Sequence, residues 1–198
     1  IVIPNYNKED RLHACLSSIQ RQTYGSFEVL FVDDGSNDAS ISIAYSFAAK
    51  DTRFKVLARP HLGKVAAINY GIAQASGEWI KIHGSDDEIV EAALEKMHSE
   101  AEKDVLIHNA RLKYDSKVGK RLYSEKSLER VKTSSIENIV PNRISFSSGL
   151  YLIRDWIAEK IFPIPHEFPY EDWYILWSLK RLDAEITVLD KNLTYYWQ

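Results

Sequence analysis

Apolar runs of strand length, separated by stretches with helical spacing, dominate the first 90 residues and constrain the fold more than any other feature. The runs cover 1–3, 27–32, 54–57 and 79–82, and the segments between them, 9–21, 38–50 and 64–75, read as helices. In the first of these helices Leu12, Cys15, Leu16 and Ile19 share one face. Short strands alternating with helices of this length require βαβ units and a largely parallel sheet. A strand buried on both faces reads as a continuous apolar run, and FEVLFV at 27–32 is one. The expected class is α/β, with a mostly parallel central sheet flanked by helices. Ligands of such sheets bind beyond the carboxyl ends of the strands. Three polar clusters fall at those ends: 4–7, 33–36 and 84–87.

The second half is less regular. A helix is expected at 89–101, then a hairpin of 105–114 with 121–123 around a turn at 115–120. The polar segment 124–145 has no period and reads as a mobile loop. A strand is expected at 147–153, an irregular connection at Pro163 and Pro165, an aromatic helix at 171–181 and a strand at 185–189. With 198 residues, no repeat and no linker, the chain reads as one domain over 1–198. It opens on Ile1 without a methionine, so a piece of a longer protein is expected, with a tail or membrane anchor outside it. A net charge of −3 supplies no basic field and argues against a nucleic-acid partner. One cysteine, Cys15, excludes an internal disulfide framework or a Cys-based zinc cluster and fits a cytoplasmic location. No run approaches the length of a membrane span, so any membrane association would be peripheral, through the missing segments.

Asp86 and Asp87 are adjacent carboxylates at a strand end. They repel each other unless a cation intervenes, and Mg²⁺ and Mn²⁺ favour such oxygen ligands shared with substrate phosphates. Asp at that point also caps helices. In DDGS at 33–36 a strand-to-helix turn accounts for Gly35 and Ser36. It leaves two carboxylates after an apolar strand, where an acceptor for a base or ribose donor would be useful. Glu171 and Asp172 open an aromatic helix. The helix dipole favours the anion, whereas Tyr170, Trp173 and Trp177 would desolvate it; the balance suits either a base or a cap. Tyr170 and Trp173 are candidates for a sugar-stacking platform, while Trp177 and Cys15 read as core. The glycines at 63, 71, 77 and 84 match neither a dinucleotide fingerprint nor a P-loop, and the histidines form no HExxH pair.

Taken in order, IVIPNYN at 1–7, QTYGSFEVLFVDDGSND at 22–38, GKVAAINYGIAQASGEWIKIHGSDD at 63–87 and YEDWYILW at 170–177 resemble glycosyltransferase family 2, which has the GT-A fold. The least similar stretch is 105–160. The resemblance implies an inverting transferase with 1–90 as its nucleotide-sugar-binding half and 91–198 as its acceptor-binding half. The donor would be a nucleotide-diphosphate sugar, a UDP-sugar first among them. The acceptor would be a carbohydrate or lipid-linked sugar hydroxyl, such as a growing surface polysaccharide or glycolipid, at the inner face of the membrane. By position, Pro4 and Tyr6 would line the base pocket, Asp34 would contact the base, and Lys64 and Ser85 would bind the donor. Asp86 and Asp87 would hold Mn²⁺ or Mg²⁺, with Asp86 also at the donor, and Asp172 would be the catalytic base. Tyr170, Glu171 and Trp173 fall on the acceptor side. Gly84 departs from the pattern, since many members have Asp there. A nucleotidyltransferase would instead need a Gly-rich basic loop after the first strand, which NYNKED at 5–10 is not. A non-enzymatic carbohydrate-binding or assembly module remains open through Gly84, against the intact Asp34, Asp86, Asp87 and Asp172.

Overall fold

The computed structural model describes residues 1–114, 117–133, 147–168 and 170–197. Strands β1 (Val2–Asn5), β2 (Val29–Asp33) and β3 (Phe54–Ala58) form a parallel sheet in the order β1-β2-β3. Every residue of β1 and β2 is buried, because both faces are covered. Ile3, Val29 and Phe31 face Leu12, Cys15, Leu16 and Ile19 of α1 (Glu9–Gln20), together with Ala44 and Phe47 of α2 (Ser40–Ala48). Val2, Leu30 and Val32 point the other way, toward Ala67 of α3 (Lys64–Ile72). Alternate side chains of one strand thus serve opposite cores, which explains the continuous apolar runs.

Helix α3 approaches the sheet unusually closely. A Cβ on Gly71 would stand 2.5 Å from Val2 Cγ1 and 2.9 Å from Val32 Cγ2. Gly71→Ala is therefore expected to destabilise the fold by about 1–3 kcal/mol through overpacking. In a circular dichroism melt that amounts to a fall of roughly 2–4 °C per kcal/mol in a chain of this size. An unchanged melting temperature would show that the contact yields.

The sheet continues past β1 through residues 81–83. Val2 N–H donates to Lys81 O (2.8 Å), and His83 N–H donates to Val2 O (2.9 Å), in parallel register. Beyond this seam the order becomes mixed. β4 (Trp79–Ile80) pairs antiparallel with β8 (Tyr151–Arg154), and β8 with β6 (Val105–Tyr114). β6 runs parallel to β9 (Ile186–Trp197), which pairs antiparallel with β5 (Glu88–Ile89). β7 (Lys117–Arg121) pairs with β6. Helices α4 (Ala93–Glu100), α5 (Glu125–Thr133), α6 (Asp155–Ile161) and α7 (Glu171–Arg181) complete the chain. Ile175, Leu176 and Leu179 of α7 join the second core with Val105, Ile107 and Ile153.

Several boundaries differ from expectation. The helix expected from residue 89 starts at Ala93, because Glu88 and Ile89 pair with Tyr195 and Thr194. The expected loop 124–145 contains α5 over Glu125–Thr133, and its remainder lies outside the described residues. The hairpin's return strand is Lys117–Arg121 rather than 121–123, so most of the expected turn is strand, and 115–116 lie outside the described residues. Residues 148–150 form a 3₁₀ turn ahead of β8, and the last strand runs on to Trp197. Among the described residues, no helix is long and apolar enough to cross a membrane.

Candidate active site

The loops at the carboxyl ends of β1 and β2 grip each other. Asn5 Nδ2 donates to Asp33 Oδ1 (3.0 Å) and Ser36 Oγ (3.1 Å), and Asp33 Oδ2 accepts the Ser36 N–H (2.9 Å). The Asn7 N–H donates to the same Ser36 Oγ (3.0 Å). Asp33 and Ser36 are thereby used as scaffold. At Gly35 (φ 76°) a Cβ would meet His61 N at 2.8 Å, so a glycine lets the next loop come this close. That loop is tied down by Asp34, which is 2% exposed. Its carboxylate accepts the N–H groups of Gly63 (2.7 Å) and Leu62 (3.1 Å), with His61 Nδ1 at 2.8 Å and Arg59 Nε at 3.5 Å. Asp34 is thus both a wall of the cleft and the anchor of its neighbouring loop. Tyr6, at the rim, lies stacked on His61 with ring centroids 4.0 Å apart.

The third strand end presents the acidic pair. Asp86 is partly exposed and pairs with Lys8 Nζ at 2.7 Å. Asp87 is buried and accepts the Trp197 N–H at 3.1 Å. Burial, and then the neighbouring Asp86 charge, push the Asp87 carboxyl up to about 7. Both carboxylates turn over Gly84: a Cβ there would stand 2.6 Å from Asp87 Oδ2 and 3.2 Å from Asp86 Oδ1. A side chain at 84 would collide with Asp87, so the glycine belongs to this arrangement of the pair. Cys15, buried below, donates its thiol to Gly84 O (3.4 Å), as a core residue would.

A fourth segment completes the site. Ser148 N–H donates to Asp172 Oδ1 (3.1 Å), and Ser148 Oγ donates to Glu171 Oε1 (3.3 Å), which also takes the ammonium of Lys64. Burial works against ionising Glu171, yet Lys64 beside it holds its carboxyl below the usual range. Asp172 goes the other way. Burial, and then the Glu171 charge, push it up to about 6, against the pull of Lys64 and the Ser148 N–H. Helix α7 is entered from Tyr170 without a side-chain capping bond there, and the Asp172 carboxylate is aimed at the 148 amide.

One cleft of about 390 Å³ gathers these groups. Pro4, Tyr6, Asp34, Lys64, Ser85, Asp86 and Asp87 line it, as do Lys8, His61, Ser148 and Tyr196, which the sequence did not single out. No local signal marks those four; Lys8 follows Tyr6 in the first strand-end loop, and His61, Ser148 and Tyr196 arrive from distant segments. Asp172 and Glu171 stand behind Ser148 rather than in the lining. Tyr170, 62% exposed, and Trp173 form a tilted ring pair outside the lining, with centroids 5.7 Å apart.

The profile described as Glycosyl transferase family 2 matches residues 1–159. The chain belongs to that family. The glycosyltransferase GlyG of Streptococcus pneumoniae is 29% identical over 99% of this chain and 69% of its own length. Among solved structures, S. aureus TarS 1–349 superposes with a TM-score of 0.76 at 25% identity, over 98% of this chain and 58% of its own. TarS 1–349 has also been solved in complex with UDP-GlcNAc. The mannosyltransferase PcManGT of Pyrobaculum calidifontis, solved with GDP-Man and Mn²⁺, superposes at 0.70 with 15% identity, over 55% of its length. The fold is therefore of the GT-A type, and the chain spans little more than half of the solved relatives.

Among the described residues, no three His, Cys, Asp or Glu side chains come together to hold a metal unaided. What family 2 membership leads one to look for is a cation shared with the donor, and the residues fit it. Two carboxylates converge over Gly84, and burial, with the Asp86 charge beside it, raises the Asp87 carboxyl to about 7. An oxygen-only pair of this kind suits a hard cation completed by phosphate oxygens.

Proposed function

We propose that this chain is the catalytic domain of an inverting glycosyltransferase that moves a sugar from a UDP-sugar to a carbohydrate or lipid-linked hydroxyl acceptor. The observation that carries the reading is a carboxyl raised to about 6, Asp172, held by the amide of Ser148 in the wall of the cleft that a separate acidic pair at a strand end also lines. A group titrating just below neutrality is ionised at pH 7 yet basic enough to assist a hydroxyl. In this reading Pro4, Tyr6 and Asp34 form the base end of the cleft, and Ser85 and Lys64 face the diphosphate. A divalent cation, Mn²⁺ or Mg²⁺, held by Asp86 and Asp87 would offset the charge that grows on the leaving phosphate. Asp172 takes the acceptor proton while the acceptor oxygen attacks the anomeric carbon, and in-line displacement inverts that centre. The Ser148 N–H holds the base in place, and Glu171 carries Lys64 at its side. Tyr170 offers an exposed ring face and Trp173 a half-buried one on the acceptor side.

The TarS complex with UDP-GlcNAc supports a UDP-sugar donor, and the GDP-Man complex of PcManGT supports Mn²⁺. The free, buried Cys15 is compatible with a cytoplasmic location. A thermal-shift screen of UDP-, GDP- and dTDP-sugars with and without Mn²⁺ tests the reading, since a ligand of the native state raises its melting temperature. A UDP-sugar shift that requires Mn²⁺, accompanied by slow UDP release, is the expected result. No shift with any nucleotide-sugar would leave a non-enzymatic module instead.

A further inference from the structure

Beneath the cleft lies a buried cation that the reaction above does not use. Lys81 is 1% exposed, and its ammonium donates to the carbonyl oxygen of Gly149 and stands 3.3 Å from His108 Nε2. His108 and His83 are also fully buried, and no carboxylate is bonded to the lysine among these contacts; burial pulls its amine down to about 7, against the more distant charge of Asp87. A buried ammonium is costly, and an apolar side chain of the same shape would pack there at less cost. Its retention in a core position calls for a reason other than stability.

The connections of Lys81 supply that reason. On one side it belongs to the segment that joins β1 and leads through His83 and Gly84 to Asp86 and Asp87. On the other it holds Gly149, the middle residue of the 3₁₀ turn Ser148–Leu150. The first residue of that turn grips both carboxylates of α7: its N–H holds Asp172, and its hydroxyl holds Glu171. One side-chain bond therefore ties the strand that presents the acidic pair to the turn that aims the base. We propose that Lys81 is a positioning residue, which fixes the Ser148–Leu150 turn and thereby sets Asp172 relative to Asp86 and Asp87. The proposal rests on Asp172 being the base.

Lys81→Met keeps the four-atom apolar stem of the side chain and removes the donor. Release of UDP from UDP-glucose, UDP-galactose and UDP-N-acetylglucosamine with Mn²⁺ is measured for the wild type, Lys81→Met, Asp172→Asn and the double variant. A base displaced by a fraction of its reach loses rate rather than substrate, so kcat is expected to fall roughly 10- to 100-fold in Lys81→Met while donor KM holds. The melting temperature should stay near that of the wild type, because removing the buried amine offsets the loss of its bond to Gly149 O. In the Asp172→Asn background, Lys81→Met should cost nothing further, which a merely structural residue would not show. Lys81→Gln, which keeps a donor, should recover part of the rate. A kcat near the wild-type value in Lys81→Met, or effects that add in the double variant, would overturn the proposal. So would loss of the fold in both Lys81 variants, which would make the lysine a stability element. If Asp172→Asn alone retains full rate, the base assignment falls and takes this proposal with it. If Asp172→Asn is slow and Lys81→Met is not, only the positioning role falls.

Discussion

Asp172→Asn is expected to lower kcat on the order of 10²-fold or more while donor affinity stays nearly unchanged. Asparagine keeps the size of the side chain and an oxygen for the Ser148 N–H, so the turn at 148–150 keeps its partner. What it cannot do is accept a proton. The wild-type pH profile gives an independent reading. The active form of a base is the ionised one, and the Asp172 carboxyl is raised to about 6. Wild-type kcat should therefore rise as pH passes upward through about 6 and level off above it, and that limb should vanish in the variant. Stability moves in the opposite sense. A carboxyl raised above its unfolded value of about 3.9 favours the fold below that value and loses this contribution as pH rises through the folded value. At pH 8 the ionised Asp172 weighs against folding, so Asp172→Asn should melt no lower than the wild type. Rate and stability both at wild-type level, measured with a competent acceptor, would leave Asp172 as part of the helix and nothing more.

Asp86→Ala and Asp87→Ala should each weaken Mn²⁺-dependent binding of UDP on the order of 100-fold, while the fold survives. The two variants fail for different reasons. Asp86 already carries Lys8 at 2.7 Å, so its loss frees that ammonium within the cleft. Part of the metal-independent binding should then remain. Asp87 is buried and accepts the Trp197 N–H, so Asp87→Ala also leaves that amide unpaired, at a cost of about 1–3 kcal/mol. The gain from removing a carboxylate held near 7 by burial offsets some of that cost. Calorimetric titration of UDP with and without Mn²⁺ separates the effects. Wild-type metal dependence in both variants would refute the cation site.

The first half of the fold was legible because its forces are local. FEVLFV is apolar throughout since both faces of β2 are covered, and the clusters at 4–7, 33–36 and 84–87 end their strands because the chain there leaves the sheet for the cleft. The second half misled where partners came from far away. Glu88 and Ile89 have the look of a helix start but pair with Thr194 and Tyr195. Helix α5 was read as loop because its polar sequence carries only a few apolar positions, of which Leu128 is buried in the second core. Asp34, Asp86, Asp87 and Asp172 stand out by residue type and order, and the fold brings the first three to one cleft with Asp172 behind Ser148. The scaffold duty of Asp34, which ties four residues of a loop together, was not legible in the sequence.

What the sequence determined unaided was therefore the parallel βαβ half, the strand-end clusters and the carboxylates proposed to carry the chemistry. Each of these is written within a few residues, in hydrophobic period, turn chemistry and motif. The tertiary structure alone decided what each charge does. Asp86 meets Lys8 across 78 residues, Glu171 meets Lys64 across 107, Lys81 meets Gly149 across 68 and Asp87 meets the Trp197 amide across 110. A carboxylate becomes a base, a metal ligand or a scaffold according to how far it is desolvated and which charges stand beside it. Both depend on the packing of distant segments, so Asp87 and Asp172 are held up by burial and a neighbouring acid while Glu171, one residue away from Asp172, is held down by a lysine.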